Sequence, residues 1–401
     1  MSKLLIDVGS TYFKISSEEG VKQQFRNFNK TIFNDLSSCF GDTITKYDKQ
    51  DVHICSSANG GLSTLIIGVT NSFSLKYSKN IAFNSGINII DTVLYHNVDQ
   101  STVPGDLLDV VIIVGGIDSI GGLYDEKLFD YLEKLNYNNV VYVGSKKDAK
   151  YLSENIENLT VLDNIITNKL KVHEEGLKEY LTNLYQQDIV GKEDIKELYE
   201  LTSNQIYSTP YIVNQSLALI DARFEVINPF IVVDIGGATT DIHYSKDLAR
   251  DNMVTNSEYD RLVFKKLGVY KSKESLIFAA KNNEFVYELL NYLNVTENIL
   301  EEESEKATRI LMQLSIFLVL CKVSTHNPLY ITLDLHMLKS IVLTGGITKV
   351  LSYDEVEAIV QFFYKKVLNT TATPSILLDS NYDIWTLGMN ALDDKRIKDV
   401  N

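Results

Sequence analysis

The sequence predicts an α/β fold of two similar lobes closing on a shared cleft, and three observations carry that prediction. Short β-branched runs are separated by helical stretches along the chain, the pattern of strands covered by helices. The stretch LLIDVGSTYFKI at 4–15 is echoed by IVVDIGGATTDI at 231–242. In both, an apolar strand reaches an aspartate, glycine and small residues follow, and hydroxyls lead back into apolar alternation. A third strand, IVLTGGI at 341–347, runs into a double glycine. The echo recurs more than two hundred residues apart, too far for a solenoid repeat and suited to two lobes that each supply one hairpin.

The strands are expected at Leu4–Val8, Val52–Cys55, Val110–Val114, Val140–Val143, Phe230–Ile235 and Ser340–Leu343. Helices are expected at Glu126–Lys134, Glu174–Tyr185, Glu193–Leu201, Tyr211–Asp221, Ser304–Val323 and Tyr353–Leu368. The segment 169–205, rich in Lys, Glu, Asn and Gln, reads as a solvated helical layer or a linker. The lobes divide at about 1–228, with an inserted subdomain, and 229–401, whose last helix returns to the first lobe. The most apolar stretch, Ile310–Val323, holds Gln313 and Ser315. It falls short of the ~20 residues that cross a bilayer and reads as a core helix.

The 401 residues carry 38 basic and 53 acidic side chains, a formal charge of −15. Such a surface repels phosphate backbones and anionic lipid, so neither nucleic acid nor a membrane is an expected partner. Cys39, Cys55 and Cys321 have no metal-ligand spacing and read as buried thiols in a reducing compartment. The N-terminal stretch lacks the apolar core of a signal peptide, and a cytoplasmic location is expected. The six histidines form no zinc-hydrolase pattern, and His243 alone reads as structural.

The two hairpins have the chemistry of phosphate ligands. Gly9, Gly236 and Gly237 let backbone N–H groups approach an anion, with Ala238 beside them. Ser10, Thr11, Thr239 and Thr240 add hydroxyls, and Lys14 adds a point charge. Asp7 and Asp234 would repel phosphate directly and make sense as partners of Mg²⁺, which bridges carboxylates to phosphate oxygens. Gly345 and Gly346 offer bare backbone against which an adenosine could lie. Any one of these is also an ordinary turn, but a turn has no reason to repeat the hydroxyl pattern. Asp241 either polarises a water near the phosphate or only bonds the hairpin's own backbone. The glycines at 115, 116, 121 and 122 read as a tight loop rather than an anion nest.

In this order the three motifs resemble the actin, hexokinase and heat-shock-chaperone ATPase superfamily. The resemblance implies an actin-like (ribonuclease H-like) fold with ATP or ADP and Mg²⁺ in the interlobe cleft. Within it, CSSANGGL (55–62), VIIVGGID (111–118), STPYIV (208–213), VVDIGGATTDIHY (232–244), TGG (344–346) and DSNYDIWTLG (379–388) look like the MutL family that accompanies cobalamin-dependent glutamate mutase. That family is unrelated to the mismatch-repair protein of the same name. The 119–123 segment, SIGGL, departs from the family's glycine run.

The resemblance implies a chaperone-like, ATP-dependent reactivator whose client is an adenosylcobalamin mutase. It also implies that the residue aligning the attacking water lies about 25 residues before the second aspartate, which is Thr209 here. A threonine can hold a water but is no base at neutral pH, so hydrolysis is expected to be slow and to act as a conformational switch. Thr209 could instead cap the helix after it. A self-associating, filament-forming actin shares the same hairpins. A metabolite kinase would need a separate carboxylate base.

Overall fold

The computed structural model describes residues 3–392 apart from 58–60, 86, 192–195, 251–257 and 329. Residues 58–60 of the CSSANGGL motif and 193–195 of an expected helix thus lie outside the described residues. All six expected strands are present. The chain begins with β1 (Leu4–Val8), β2 (Tyr12–Ser17), β3 (Gly20–Phe25) and β4 (Val52–Ser56). Every residue of β1 is buried, because both faces of the sheet are covered.

The next five strands, β5 (Leu62–Gly68), β6 (Ile87–Leu94), β7 (Leu108–Val114), β8 (Tyr137–Tyr142) and β9 (Leu159–Val161), form a wholly parallel sheet ordered β6-β5-β7-β8-β9. β10 (Tyr207–Ser208) then returns to the first strands and completes a sheet ordered β10-β4-β1-β2-β3. The remaining strands, β11 (Phe230–Ile235), β12 (Thr240–Ser245), β13 (Tyr259–Phe264), β14 (Ser340–Gly345) and β15 (Ser375–Leu378), are ordered β13-β12-β11-β14-β15.

The first and last sheets are built alike. β1 pairs antiparallel with β2 and parallel with β4; β11 pairs antiparallel with β12 and parallel with β14. This duplicated plan is the two-lobed actin-like arrangement. Between the sheets lie two helices, Thr209–Ser216 and Asp383–Ala391. Ile212, Val213, Trp385 and Met389 from them share one apolar cluster with Leu5 and Cys55 of the first sheet and Phe230, Val232 and Val342 of the last. The helices approach so closely that a Cβ added at Gly388 would collide with the Ile212 carbonyl.

The helix expected around Ile310–Val323 runs from Glu305 to Ser324. Its length and composition would suffice to cross a membrane, but its apolar residues are packed inside the molecule. Cys55 and Cys321 are buried as expected, whereas Cys39 is exposed. It sits on the outer side of the amphipathic helix Ile32–Ile44, whose buried side is built by Ile32, Leu36, Phe40 and Ile44.

Candidate functional site

The loops of the two β-hairpins meet at one cleft of about 560 Å³. Asp7, Gly9, Ser10, Thr11, Lys14, Thr209, Asp234, Gly236, Gly237, Ala238, Thr239, Gly345 and Gly346 all line it. In each hairpin the glycine N–H bonds back across the turn, Gly9 to the Tyr12 carbonyl and Gly236 to the Thr239 carbonyl, both at 2.9 Å. A Cβ added at Gly237 would collide with Thr11 Oγ1 from the other hairpin. That hydroxyl is buried and has no hydrogen-bond partner.

Strand register decides what faces each aspartate. Asp7 stands opposite Lys14, and their side chains pair at 3.0 Å. Asp7 also accepts from Thr209 Oγ1 at 2.7 Å and from the Cys55 thiol at 3.5 Å. Burial, reinforced by the Asp7 charge, pushes the Cys55 thiol well up, so it stays a neutral donor. Burial alone would lower the Lys14 ammonium, but Asp7 and then Asp234 outweigh it and raise it.

In the second hairpin the place of Lys14 is taken by an acid, for Asp234 stands opposite Asp241. Among the described residues no donor reaches the Asp234 carboxylate. Burial pushes its pKa up to about 6; Lys14 opposes this, and Asp241 and Asp7 add to it. Asp241 has its own cation: Arg261 of β13 donates to it at 2.9 Å, with both side chains less than a tenth exposed. Asp241 also accepts the Thr239 hydroxyl at 3.2 Å. Its carboxylate is therefore held by an ion pair and a side-chain hydroxyl of its hairpin rather than by the hairpin backbone.

Thr240 is a correction. Its hydroxyl donates to the Leu267 carbonyl at 2.8 Å, and the residue is fully buried away from the cleft. Strand alternation is the reason: Thr239 and Asp241 share the cleft face, so Thr240 must face the core. Thr209 is the first residue of its helix, but the cap is Ser208, whose hydroxyl accepts from the Tyr211 N–H. The Thr209 hydroxyl goes to Asp7 instead.

Gly345 has φ +88, and a Cβ there would strike the end of β11 at the Ile235 carbonyl, 2.5 Å away, and Asp234 Oδ1, 2.7 Å away. Only glycine fits such a conformation and approach. Gly346 faces open space. Thr344 donates to the buried Asp379 at 2.8 Å, and Asp379 caps the helix Asp383–Ala391 by accepting from the Asp383 and Ile384 N–H groups. Between them Tyr382, in the left-handed region at φ 58, lines the cleft and donates to Gln23 of β3 at 2.6 Å.

Sequence reasoning missed Arg261, Asp379 and Tyr382 as members of the site. The adjacent charges Asp260 and Arg261, set before the apolar end of β13, were the available signal for Arg261. The glycine loop after β7 is a tight loop, as read: the Asp148 carboxylate accepts from the Gly122 and Leu123 N–H groups and fills it. His243 is structural. It is fully buried against Asn214 at 3.4 Å, and burial followed by the Arg261 charge holds it well below its ordinary pKa.

The family model described as MutL protein matches residues 3–314. The chain belongs to the MutL protein family. This is the family its motifs resemble. A curated relative, Protein MutL of Clostridium tetanomorphum, is 25% identical over 272 residues, covering 61% of this chain and 58% of the relative. The match therefore spans less than two thirds of that relative's length. Among solved structures, component A of (R)-2-hydroxyglutaryl-CoA dehydratase from Acidaminococcus fermentans is 9% identical, with a TM-score of 0.34 and 99% of both chains covered. The activator of 2-hydroxyisocaproyl-CoA dehydratase from Clostridium difficile, solved with bound ADPNP, is 11% identical. Its TM-score is 0.31, with 100% of this chain and 97% of the other covered.

Proposed function

We propose that this MutL-family chain binds Mg-ATP between its two hairpins and uses slow hydrolysis to switch the angle between lobes 1–228 and 229–401. The client of that switch is an adenosylcobalamin-dependent mutase of the glutamate mutase type, from which the chain helps to release damaged cobalamin. One observation supports the reading above the rest: two hairpins of the same design face each other, and the buried Thr11 hydroxyl ends unpartnered against Gly237. A buried donor without an acceptor is costly, and a phosphate oxygen between the hairpins would satisfy it.

The residues fit the metal as well. Asp7 and Asp234 line the cleft, and among the described residues no group of three or more His, Cys, Asp or Glu forms a cage. Mg²⁺ suits that donor set, because it keeps waters and shares its remaining sites with substrate phosphates. When bound, the metal supplies charge neutralisation along the polyphosphate. Around it Lys14, Ser10, Thr11 and the N–H groups of Gly237–Thr239 hold phosphate oxygens, and Gly346 leaves room for adenosine.

No carboxylate base stands where Thr209 is, and its hydroxyl is already given to Asp7. Turnover is accordingly slow, and differential contacts with the open and closed lobes do the work. The test uses an adenosylcobalamin mutase inactivated with a cobalamin lacking the adenosyl group, plus free adenosylcobalamin. Activity should return with the chain and Mg-ATP, and not with Asp7→Ala. No recovery at any nucleotide state would remove the client assignment.

A further inference from the structure

The ion pair of Arg261 with Asp241 reaches beyond the cleft. Arg261 Nη1 donates at 2.9 Å to the Phe83 carbonyl, in the last turn of the helix Lys76–Asn84 of the parallel sheet's subdomain. The bonds run in series: Thr239 to Asp241, Asp241 to Arg261, Arg261 to Phe83. The central pair is shielded from water, with Arg261 7% and Asp241 6% exposed, whereas Thr239 at the cleft end is half-buried.

Three further polar contacts join β13 and the residue that follows it to the same subdomain. Asn84 Nδ2 donates to Asp260 at 2.9 Å, and Lys265 Nζ reaches Asn88 Oδ1 and the Ile89 carbonyl. The interface also buries polar atoms with no partner: Arg261 Nε, Asn84 Oδ1 and both side-chain polar atoms of Asn80. An interface held by directional bonds around orphaned polar groups is less stable than an apolar one of equal size. It is the kind of contact that can exist in two arrangements.

We propose that Arg261 is a positioning residue that reports the nucleotide at the second hairpin to the parallel-sheet subdomain. The inference rests on the Mg-ATP reading above. A terminal phosphate held at Gly236–Thr239 takes the Thr239 hydroxyl and competes with Asp241 for the guanidinium. Drawn toward the cleft, Arg261 releases the Phe83 carbonyl, and the end of the helix Lys76–Asn84 loosens from β13. ADP, lacking that phosphate, leaves the series intact. The nucleotide thus acts on the subdomain through a specific difference in contacts.

Amide hydrogen exchange of the helix Lys76–Asn84 tests this, at saturating Mg-ATP or Mg-ADP, with nucleotide binding measured separately by calorimetry. In the wild-type chain Mg-ATP should speed exchange near Phe83 about tenfold over Mg-ADP. In Arg261→Met the exchange should be fast throughout and indifferent to nucleotide. Breaking a buried pair can unfold a chain, so Arg261→Met/Asp241→Asn, which removes both charges, is measured alongside and should behave the same way. Arg261→Lys should restore part of the nucleotide response. A purely structural Arg261 would change thermal stability yet keep the ATP-to-ADP difference, and that result would overturn the proposal. So would wild-type exchange that ignores a nucleotide shown to bind. A wild-type chain that bound no nucleotide would sink the underlying function as well.

Discussion

Thr209 donates its hydroxyl to Asp7 at 2.7 Å, across 202 residues of chain. The bond joins the N-terminus of an interlobe helix to the first hairpin, so Asp7 is aimed by a residue of another element. Thr209→Val keeps the shape and removes the donor. Losing one side-chain bond to a buried carboxylate costs about 1–3 kcal/mol, so the variant should melt lower and bind Mg-ATP about tenfold more weakly. Thr209→Ser should retain both properties. Calorimetry and thermal unfolding of the three chains decide it.

Asp234 ties stability to pH. Its carboxyl is raised from 3.8 to about 6 in the folded chain, so its contribution to stability is present at low pH and lost as pH rises through about 6. Asp234→Asn should therefore melt above the wild type at pH 8, and the gap should close toward pH 4. Binding runs the other way, because only the ionised carboxylate serves a cation. Wild-type affinity for Mg-ATP should fall as pH drops below about 6. Melting curves and titrations across pH 4–8 check both signs.

Gly237 keeps the hairpins in contact. Gly237→Ala should weaken Mg-ATP binding at least tenfold by forcing its Cβ onto Thr11 Oγ1. Thr11→Ala in the same chain should recover part of the loss despite removing a hydroxyl, a non-additivity expected only of touching residues. A double-mutant cycle on the dissociation constants measures it.

Gly388 does the same between the two central helices. Gly388→Val should cost several kcal/mol, since backbone lies in the way and cannot move as a side-chain end can. Thermal unfolding should show a fall of many degrees, larger than for the same change at the unobstructed Gly176.

The hairpins were legible because their chemistry is local: strand, aspartate, glycine and hydroxyls sit within a dozen residues, twice. The double glycine of 345–346 was legible for the same reason. Alternation over three residues was enough to exclude Thr240 from the cleft, but the run of hydroxyls hid it. What lay beyond reach were pairings made by the fold. Nothing near Asp241 announces Arg261, which arrives from a neighbouring strand, and nothing near Thr209 announces Asp7. The β5 strand of the parallel sheet also went unread, because a short apolar run buried on both faces has no period to separate it from a helix, and β6 went unread because Asn88, Asp91 and Thr92 break its apolar pattern.

The central claim is that both hairpins grip one Mg-nucleotide, and a calorimetric titration with ATP tests it most directly. It is run with Mg²⁺ and with chelator, on the wild type, Asp7→Ala and Asp234→Ala. The account predicts saturable one-to-one binding that needs Mg²⁺ and weakens at least tenfold in each variant. Binding that ignored Mg²⁺ and both substitutions, or no binding at all, would contradict it.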